Sequence, residues 1–124
     1  MSEHAEQVRL MTWARQWEDE YPGLDLLFAI PNGGKRHVAV ARKLKAEGVK
    51  AGVPDLFLPV PRHGYHGLFI ELKYGKNRPT PHQWRWLEQL AHQGYKTVVC
   101  WGFMDAKAVL IDYLGEGVAC GPSA

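Results

Sequence analysis

Three charged residues interrupt a stretch of the sequence that is otherwise apolar. Asp55 precedes the run LFLPV, and Glu71 and Lys73 lie at the end of the run GLFIELK. Burying an ion is costly unless it is paired, so these residues need a partner or a purpose there. Two carboxylates that lie side by side provide the oxygen ligands that Mg²⁺ or Mn²⁺ prefers. The three residues therefore predict a divalent-metal site with a lysine beside it.

The chemistry of such a site suits a phosphate ester. A bound cation activates a water molecule and stabilises the negative charge that grows on a phosphate oxygen. The backbone carbonyl of Leu72, between Glu71 and Lys73, can add a ligand. Lys73 can hold the attacking water and neutralise the phosphate, and the neighbouring acids keep it protonated. The alternative interpretation is a structural salt bridge across a half-exposed sheet.

A β-hairpin would bring the three side chains together. The turn-rich segment PRHGYHG, residues 61–67, separates the two apolar runs. With the turn centred on His63, Asp55 and Glu71 are equally far from the centre and face each other across the strand pair. Glu71 and Lys73 are two positions apart, so they point to the same face of their strand.

The remaining elements follow from hydrophobic periodicity and from turn residues. Helices are predicted over residues 3–20 with Ser2 as N-cap, 36–47, 81–93 and 105–114, and strands over 24–30 and 96–103. The helix between the last two strands suits a right-handed parallel crossover. The order αβαββαβα predicts an α/β fold with a mixed four-stranded sheet flanked by helices. We expect one domain over residues 1–115 and a loose tail over 116–124.

Two of these helices carry recognisable start signals. Thr80 and Gln83 form a capping box, with Pro81 at the first helical position. Asp105 is the predicted cap of the last helix, and strand 96–103 is apolar enough to be central in the sheet. The apolar face of the helix that starts at Pro81 is predicted to consist of Trp84, Leu87 and Ala91.

Composition excludes several classes of protein. The chain has 124 residues, 46% of them apolar and 23% charged, with a net charge of +2. No apolar run is long enough to span a membrane, and the first ten residues are too polar and acidic for a signal peptide. Two cysteines, Cys100 and Cys120, make neither a disulfide framework nor a metal cluster. We therefore expect a cytosolic, reduced protein.

The charged motif belongs to a wider pattern. Pro54-Asp55 followed by Glu71-Leu72-Lys73 resembles the PD-(D/E)xK nuclease motif. The blocks IPNGGKR, AGVPDLFLPV, GLFIELK and TPHQWRWLEQL, in this order and spacing, resemble the VRR-NUC family of virus-type replication-repair nucleases. The resemblance covers residues 3–114.

The resemblance implies a restriction-endonuclease-like core and cleavage of DNA phosphodiesters that depends on Mg²⁺ or Mn²⁺. Stand-alone members of this size, from bacteria and phages, are similar to Holliday junction resolvases and act as homodimers on four-way junctions. The cytoplasm of a bacterial or phage-infected cell is the corresponding location. The alternatives are a flap-cutting repair nuclease, a DNA-binding module that kept the fold without catalysis, and a sequence-specific restriction-type nuclease.

The resemblance also implies further catalytic residues. The family has an acidic residue on its first helix that faces the metal. We favour Glu6, with Glu3 as the alternative, although both acids also suit the N-terminal dipole of a helix. Gln83 matches the glutamine that lies beside the family's active site, in addition to its place in the capping box.

Expected DNA contacts come from the turn PNGG and from two basic segments. Asn32 and Gly33 match the family, and a glycine-rich turn lets the backbone approach a phosphate closely; a plain tight turn is the alternative. Lys35, Arg36 and Lys76 would contact the DNA backbone and give affinity that depends on salt. For these basic residues the alternative is a solvated surface.

Two further groups of residues are assigned structural roles. His63 and His66 lie in the hairpin turn but lack Cys or His partners at ligand spacing, so zinc is not predicted. Packing in the core or in a dimer is favoured over base stacking for Trp13, Trp17, Trp84 and Trp86.

Overall fold

The computed structural model describes residues 1–31 and 37–120, with side chains as far as residue 115. Its elements are α1 (Glu3–Trp17), a 3₁₀ turn (Leu24–Leu26), β1 (Phe28–Ala29), α2 (Val38–Ala46), β2 (Leu56–Leu58), β3 (Leu68–Lys73), α3 (Pro81–His92), β4 (Lys96–Trp101) and α4 (Phe103–Cys120). The predicted α/β class and the order of helices and strands are confirmed. None of the described helices is both long enough and apolar enough to cross a membrane.

The sheet is mixed, with strand order β1-β2-β3-β4. β1 and β2 pair antiparallel, as do β2 and β3, whereas β3 and β4 pair parallel through the α3 crossover. Leu56 pairs with Ile70, and Leu58 with Leu68. These pairs are centred on His63, so the predicted hairpin register is confirmed.

The two faces of the sheet have different characters. Alternate positions of β2 and β3, namely Leu56, Leu58, Leu68, Ile70 and Leu72, are almost fully buried and join residues of α1 and α4 in the core. The other face carries Phe57 and Phe69, whose rings stack with centroids 4.2 Å apart. Because side chains alternate along a strand, Glu71 and Lys73 share this second face with Phe69.

Several predicted boundaries near the N-terminus differ in the structure. α1 begins after the predicted N-cap Ser2, whose Oγ accepts the Ala5 N–H at 3.1 Å. It ends at Trp17 rather than residue 20, and beyond that end the Glu20 N–H bonds the Trp17 carbonyl three residues back instead of four. The predicted strand 24–30 was wrong over its first half, where a 3₁₀ turn forms.

β4 is shorter than predicted and lies at an edge of the described sheet rather than in its centre. The strand is apolar on both faces because α3 and α4 both pack against it, which explains the misleading pattern. α4 begins at Phe103 rather than Asp105 and continues past Gly115 to Cys120 rather than ending at residue 114. The Asp105 carboxylate instead accepts the Trp101 N–H at 2.9 Å.

The capping box of α3 is confirmed, and its predicted apolar face is confirmed for Leu87 but was wrong for Trp84 and Ala91. The Thr80 and Gln83 side chains accept each other's backbone N–H groups at 3.1 and 2.9 Å. Leu87 is buried, whereas Trp84 is 43% exposed. The inward face is completed by partly buried side chains one position away from those predicted, namely Gln83, Trp86 and Leu90.

Candidate active site

Asp55 is fixed at the point where the chain enters β2. Its Oδ2 accepts the Leu72 N–H at 2.7 Å, so the carboxylate continues the ladder between β2 and β3 beyond the last backbone pair. Its carbonyl accepts the Ile30 N–H at 2.8 Å. In the confirmed register Asp55 lies opposite Glu71, as the sequence predicted.

The loop before Asp55 is held against α3. The Trp86 Nε1–H donates to the Ala51 carbonyl at 3.1 Å. Gly52 has φ +90°, and a Cβ there would lie 2.6 Å from the His82 ring. Only glycine fits both the left-handed backbone and this close approach. The GVPD segment thus positions Asp55 by packing on α3.

Glu71 and Lys73 form a buried ion pair near the C-terminal end of β3. The Lys73 Nζ lies 3.4 Å from the Glu71 Oε2. Glu71 is 1% exposed and Lys73 is 7% exposed. Within the described chain the Glu71 Oε1 is buried without a hydrogen-bond partner. A buried carboxylate oxygen that lacks a partner is costly, and a cation is a suitable one.

The pKa values of both carboxyl groups are raised above their ordinary values. Burial, and then the charge of Asp55, raises the pKa of Glu71 to about 8. Burial also raises the pKa of Asp55, although the hydrogen bond from Leu72 opposes the shift. Two like charges in a poorly solvated place disfavour full ionisation, and a bound cation would reverse this.

The donors suit a hard cation better than zinc. They are the carboxylates of Asp55 and Glu71 and the Leu72 carbonyl, which faces Asp55 because the N–H and C=O of a strand residue point to the same neighbour. Among the described residues no group of three or more His, Cys, Asp or Glu side chains is arranged to hold a metal. Mg²⁺ commonly uses one or two carboxylates and retains several waters, so the donors fit it.

The two acidic candidates on α1 point to different places. The Glu6 Oε1 accepts the Phe103 N–H at 2.9 Å, and its Oε2 lies 3.6 Å from Arg9. Glu6 therefore supports the first turn of α4 through its Oε1, whereas its Oε2 is buried without a hydrogen-bond partner among the described residues. Glu3 instead accepts the Asn77 Nδ2–H at 3.3 Å, and its charge contributes to the raised pKa of Asp55. The structure thus associates Glu3, the alternative candidate, with the carboxylate pair.

The structure gives less information about the other residues that the sequence predicted for the site. Gln83 is partly buried and its Oε1 is used by the capping box, which leaves its amide nitrogen outside that motif. Lys76 is exposed in the turn that follows β3. The remaining predicted DNA contacts, Asn32, Gly33, Lys35 and Arg36, lie outside the described residues.

Sequence reasoning missed the residues that connect the site to its surroundings. Asn77 joins Glu3 through its side chain and accepts the Trp101 Nε1–H through its carbonyl at 2.8 Å. Neither Asn77 nor Trp101 belongs to the blocks that identify the motif. The only sequence signal was their position just after Lys73 and at the end of β4.

The family model and the solved structures that this chain resembles all carry the same domain description. A family model described as "VRR-NUC domain" matches residues 2–104, which include Asp55, Glu71 and Lys73. A solved structure described as "VRR_NUC domain protein" has a TM-score of 0.80 at 34% identity, covering 94% of this chain and 91% of that chain. Another, described as "VRR_NUC domain", has a TM-score of 0.55 at 23% identity, covering 87% of this chain and 97% of that chain, and shows likeness of fold alone. Comparison with the curated proteins gives no match.

Proposed function

Because the chain belongs to the VRR-NUC domain family of PD-(D/E)xK-type nucleases, we propose that it is a divalent-metal-dependent endonuclease that cuts branched DNA, with the four-way junction as its preferred substrate. The observation that carries the proposal is the carboxylate pair of the partly buried Asp55 and the buried Glu71, with the Lys73 ammonium 3.4 Å from Glu71. A structural salt bridge needs one acid for one base. A second acid beside this ion pair, and a buried Glu71 Oε1 that no N–H donor of the described residues reaches, have a purpose when a cation is bound.

The residues that would hold Mg²⁺ or Mn²⁺ are Asp55, Glu71 and the Leu72 carbonyl, with Glu3 as a supporting charge beside them. Such a cation supplies a Lewis acid for the phosphate oxygens and lowers the pKa of bound water. Glu3 replaces Glu6 in this proposal because the charge of Glu3 acts on Asp55, whereas one Glu6 oxygen is engaged at the N-terminus of α4. The Leu72 N–H holds the Asp55 Oδ2, which leaves the Oδ1 outside that hydrogen bond.

Lys73 has the role of orienting the nucleophile. Its ammonium is confined by burial and by Glu71, so it can donate hydrogen bonds to an attacking water or hydroxide and to a nonbridging phosphate oxygen. Its positive charge offsets the charge that develops on the phosphate during attack. The Gln83 amide nitrogen, outside the capping box, is proposed as a further hydrogen-bond donor at the edge of the site.

Binding of the DNA backbone would rely on charges outside the catalytic centre. Lys76 is exposed three residues after Lys73, where a phosphate next to the one being cut would lie. Together with Lys35 and Arg36, and with the backbone at Asn32 and Gly33, it would give affinity that falls with salt and ignores sequence.

Junction resolution requires two incisions in strands related by approximate two-fold symmetry. One chain carries one set of Asp55, Glu71 and Lys73, so we propose that a homodimer presents two sites. A flap nuclease needs only one site. The stoichiometry of active sites therefore separates the two functions.

The test compares cleavage of a mobile four-way junction, a flap and a linear duplex in Mg²⁺ and in Mn²⁺, with Lys73→Ala as control. Paired symmetric nicks in the junction, absent with Lys73→Ala, are the expected result. Cutting of the flap alone would favour a repair nuclease. Binding of the junction without cleavage in either metal would favour a non-catalytic DNA-binding module.

A further inference from the structure

Trp101 stands beside Lys73 on the face of the sheet that carries the candidate site. It is the last residue of β4 and the register partner of Lys73 in the parallel pair, just as Val99 is the partner of Glu71. Neighbouring strands lie about 4.8 Å apart, and the side chains of register partners point to the same face. The indole is thus the aromatic group one strand away from the ammonium.

The indole is both fixed and exposed. Its Nε1–H donates to the Asn77 carbonyl at 2.8 Å, and the Trp101 backbone N–H donates to the Asp105 carboxylate at 2.9 Å. The residue nevertheless remains 40% exposed. Among the described residues the ring has no aromatic or cationic partner. A large apolar ring that is held in one orientation yet left open to solvent is suited to binding a flat ligand.

The surroundings of the ring select the kind of ligand. The segment between β3 and α3 carries the exposed cations Lys76 and Arg78, and Lys73 lies on the neighbouring strand. In a nucleotide a single sugar separates the phosphate from the base, so a phosphate held near Lys73 places its base within reach of Trp101. Stacking on an aromatic ring tolerates any base, but in a duplex both faces of each base are already covered.

We propose that Trp101 is the stacking platform for an unpaired nucleobase of the strand that is cut, and that Asn77 fixes the orientation of its ring. This inference rests on the proposed nuclease function and deepens it. Branched DNA offers bases that are unstacked, or easily unstacked, at the crossover, whereas an intact duplex does not. The platform therefore contributes to selectivity for branched over linear DNA without reading sequence.

The test measures binding without metal, so that cleavage does not interfere. Dissociation constants are determined by fluorescence anisotropy in EDTA for a labelled single strand of about twelve nucleotides, within the usual site size for such proteins, and for the matching duplex. The variants are Trp101→Ala and Trp101→Phe. Trp17→Ala is the matched control, since Trp17 is 44% exposed at the far end of α1. It lies about 21 Å along the helix from Glu3.

Trp101→Ala removes the ring on which one base would stack. This variant should therefore bind the single strand about 5- to 100-fold more weakly than the unmodified protein. Binding of the duplex should change less than about twofold, Trp101→Phe should retain most of the affinity, and Trp17→Ala should match the unmodified protein. An abasic nucleotide introduced at each position of the strand in turn adds a test that needs no folded variant. With the unmodified protein one position should weaken binding, and in Trp101→Ala that position should no longer matter.

Equal effects of Trp101→Ala on single strand and duplex, no effect on either, or no sensitive abasic position would overturn the proposal. The proposed function fails separately, if the unmodified protein cuts no DNA in Mg²⁺ or Mn²⁺. Cleavage without any dependence of binding on Trp101 would leave the nuclease assignment and remove the platform. Binding that depends on Trp101, without cleavage, would leave the platform and remove the nuclease assignment.

Discussion

The Lys73 ammonium lies 3.4 Å from the Glu71 carboxylate, and both groups are almost fully buried on one face of β3. Two positions of strand separate them, so the backbone fixes their relative placement without help from a loop. Asp55, opposite Glu71, is tied to the same strand by the Leu72 N–H. A rigid sheet thus carries all three groups, which is how a site keeps its geometry while a substrate exchanges.

Replacing Lys73 should remove catalysis and spare binding. We expect Lys73→Ala to lower the rate of DNA cleavage about 100-fold or more, the cost of losing one preorganised donor to a developing anion. Affinity for the junction should stay within a fewfold, since this variant retains the other cations that are proposed to contact the backbone. Lys76→Ala is the matched control: Lys76 is exposed, so this variant should weaken binding and reduce its salt dependence while keeping the rate of the bound complex. Cleavage by Lys73→Ala near the normal rate would contradict the assigned role.

Stability of the metal-free protein should fall as pH rises. The pKa of Glu71 is raised from 4.5 to about 8, so in this window the folded state holds a proton that the unfolded state has released. The free energy of unfolding therefore decreases between these two pH values and levels off above the higher one. Thermal melts in EDTA across the window measure the slope, and Glu71→Gln should flatten it. A melting temperature that rises with pH, or the same slope in Glu71→Gln, would oppose the burial of an ionisable Glu71.

The two acids of α1 should separate into a site residue and a structural residue. Glu3→Gln should weaken Mn²⁺ binding about tenfold, the scale of losing a supporting charge beside a metal, and slow cleavage with little change in melting temperature. Glu6→Gln should lower stability by about 1 kcal/mol, because a neutral amide replaces the carboxylate that accepts the Phe103 N–H, and should leave metal affinity unchanged. Calorimetric titration with Mn²⁺ and thermal melts of both variants distinguish them. The opposite pattern would return Glu6 to the metal site.

The sequence was sufficient for the fold class and for the facing of Asp55 and Glu71, because alternation and a short turn determine hairpin register locally. The sequence was insufficient to decide whether Glu3 or Glu6 is the acid of α1 that acts at the candidate site. Both lie in the first turn of one helix, and which one faces the sheet depends on where α4 begins. The structure places Phe103 at that start, two residues before Asp105, which the sequence had predicted as the cap. The Phe103 N–H donates a hydrogen bond to the Glu6 Oε1.

Edge position and side-chain exposure were also beyond local patterns. β4 reads as a central strand because helices cover both of its faces, yet in the described sheet it pairs on one side only. Trp101 reads as one more apolar residue of that strand. Only the parallel register with β3 brings it beside Lys73, and register between strands joined by a helix is a tertiary property.

Asp55→Asn should make the metal-free protein more stable. The same variant should not cut DNA when Mg²⁺ or Mn²⁺ is added. The amide oxygen can still accept the Leu72 N–H, so the local ladder survives. The charge that raises the pKa of Glu71 is removed, which relieves the repulsion between the buried Glu71 and the partly buried Asp55. We expect the melting temperature in EDTA at pH 8 to rise by about 2 to 8 °C, the shift that corresponds to roughly 1 kcal/mol in a domain of this size.

Mn²⁺, which should stabilise the unmodified protein, should have little effect on Asp55→Asn, because one of the two carboxylates proposed to hold the cation is gone. A lower melting temperature in EDTA, or stabilisation by Mn²⁺ equal to that of the unmodified protein, would mean that Asp55 serves the fold rather than the cation.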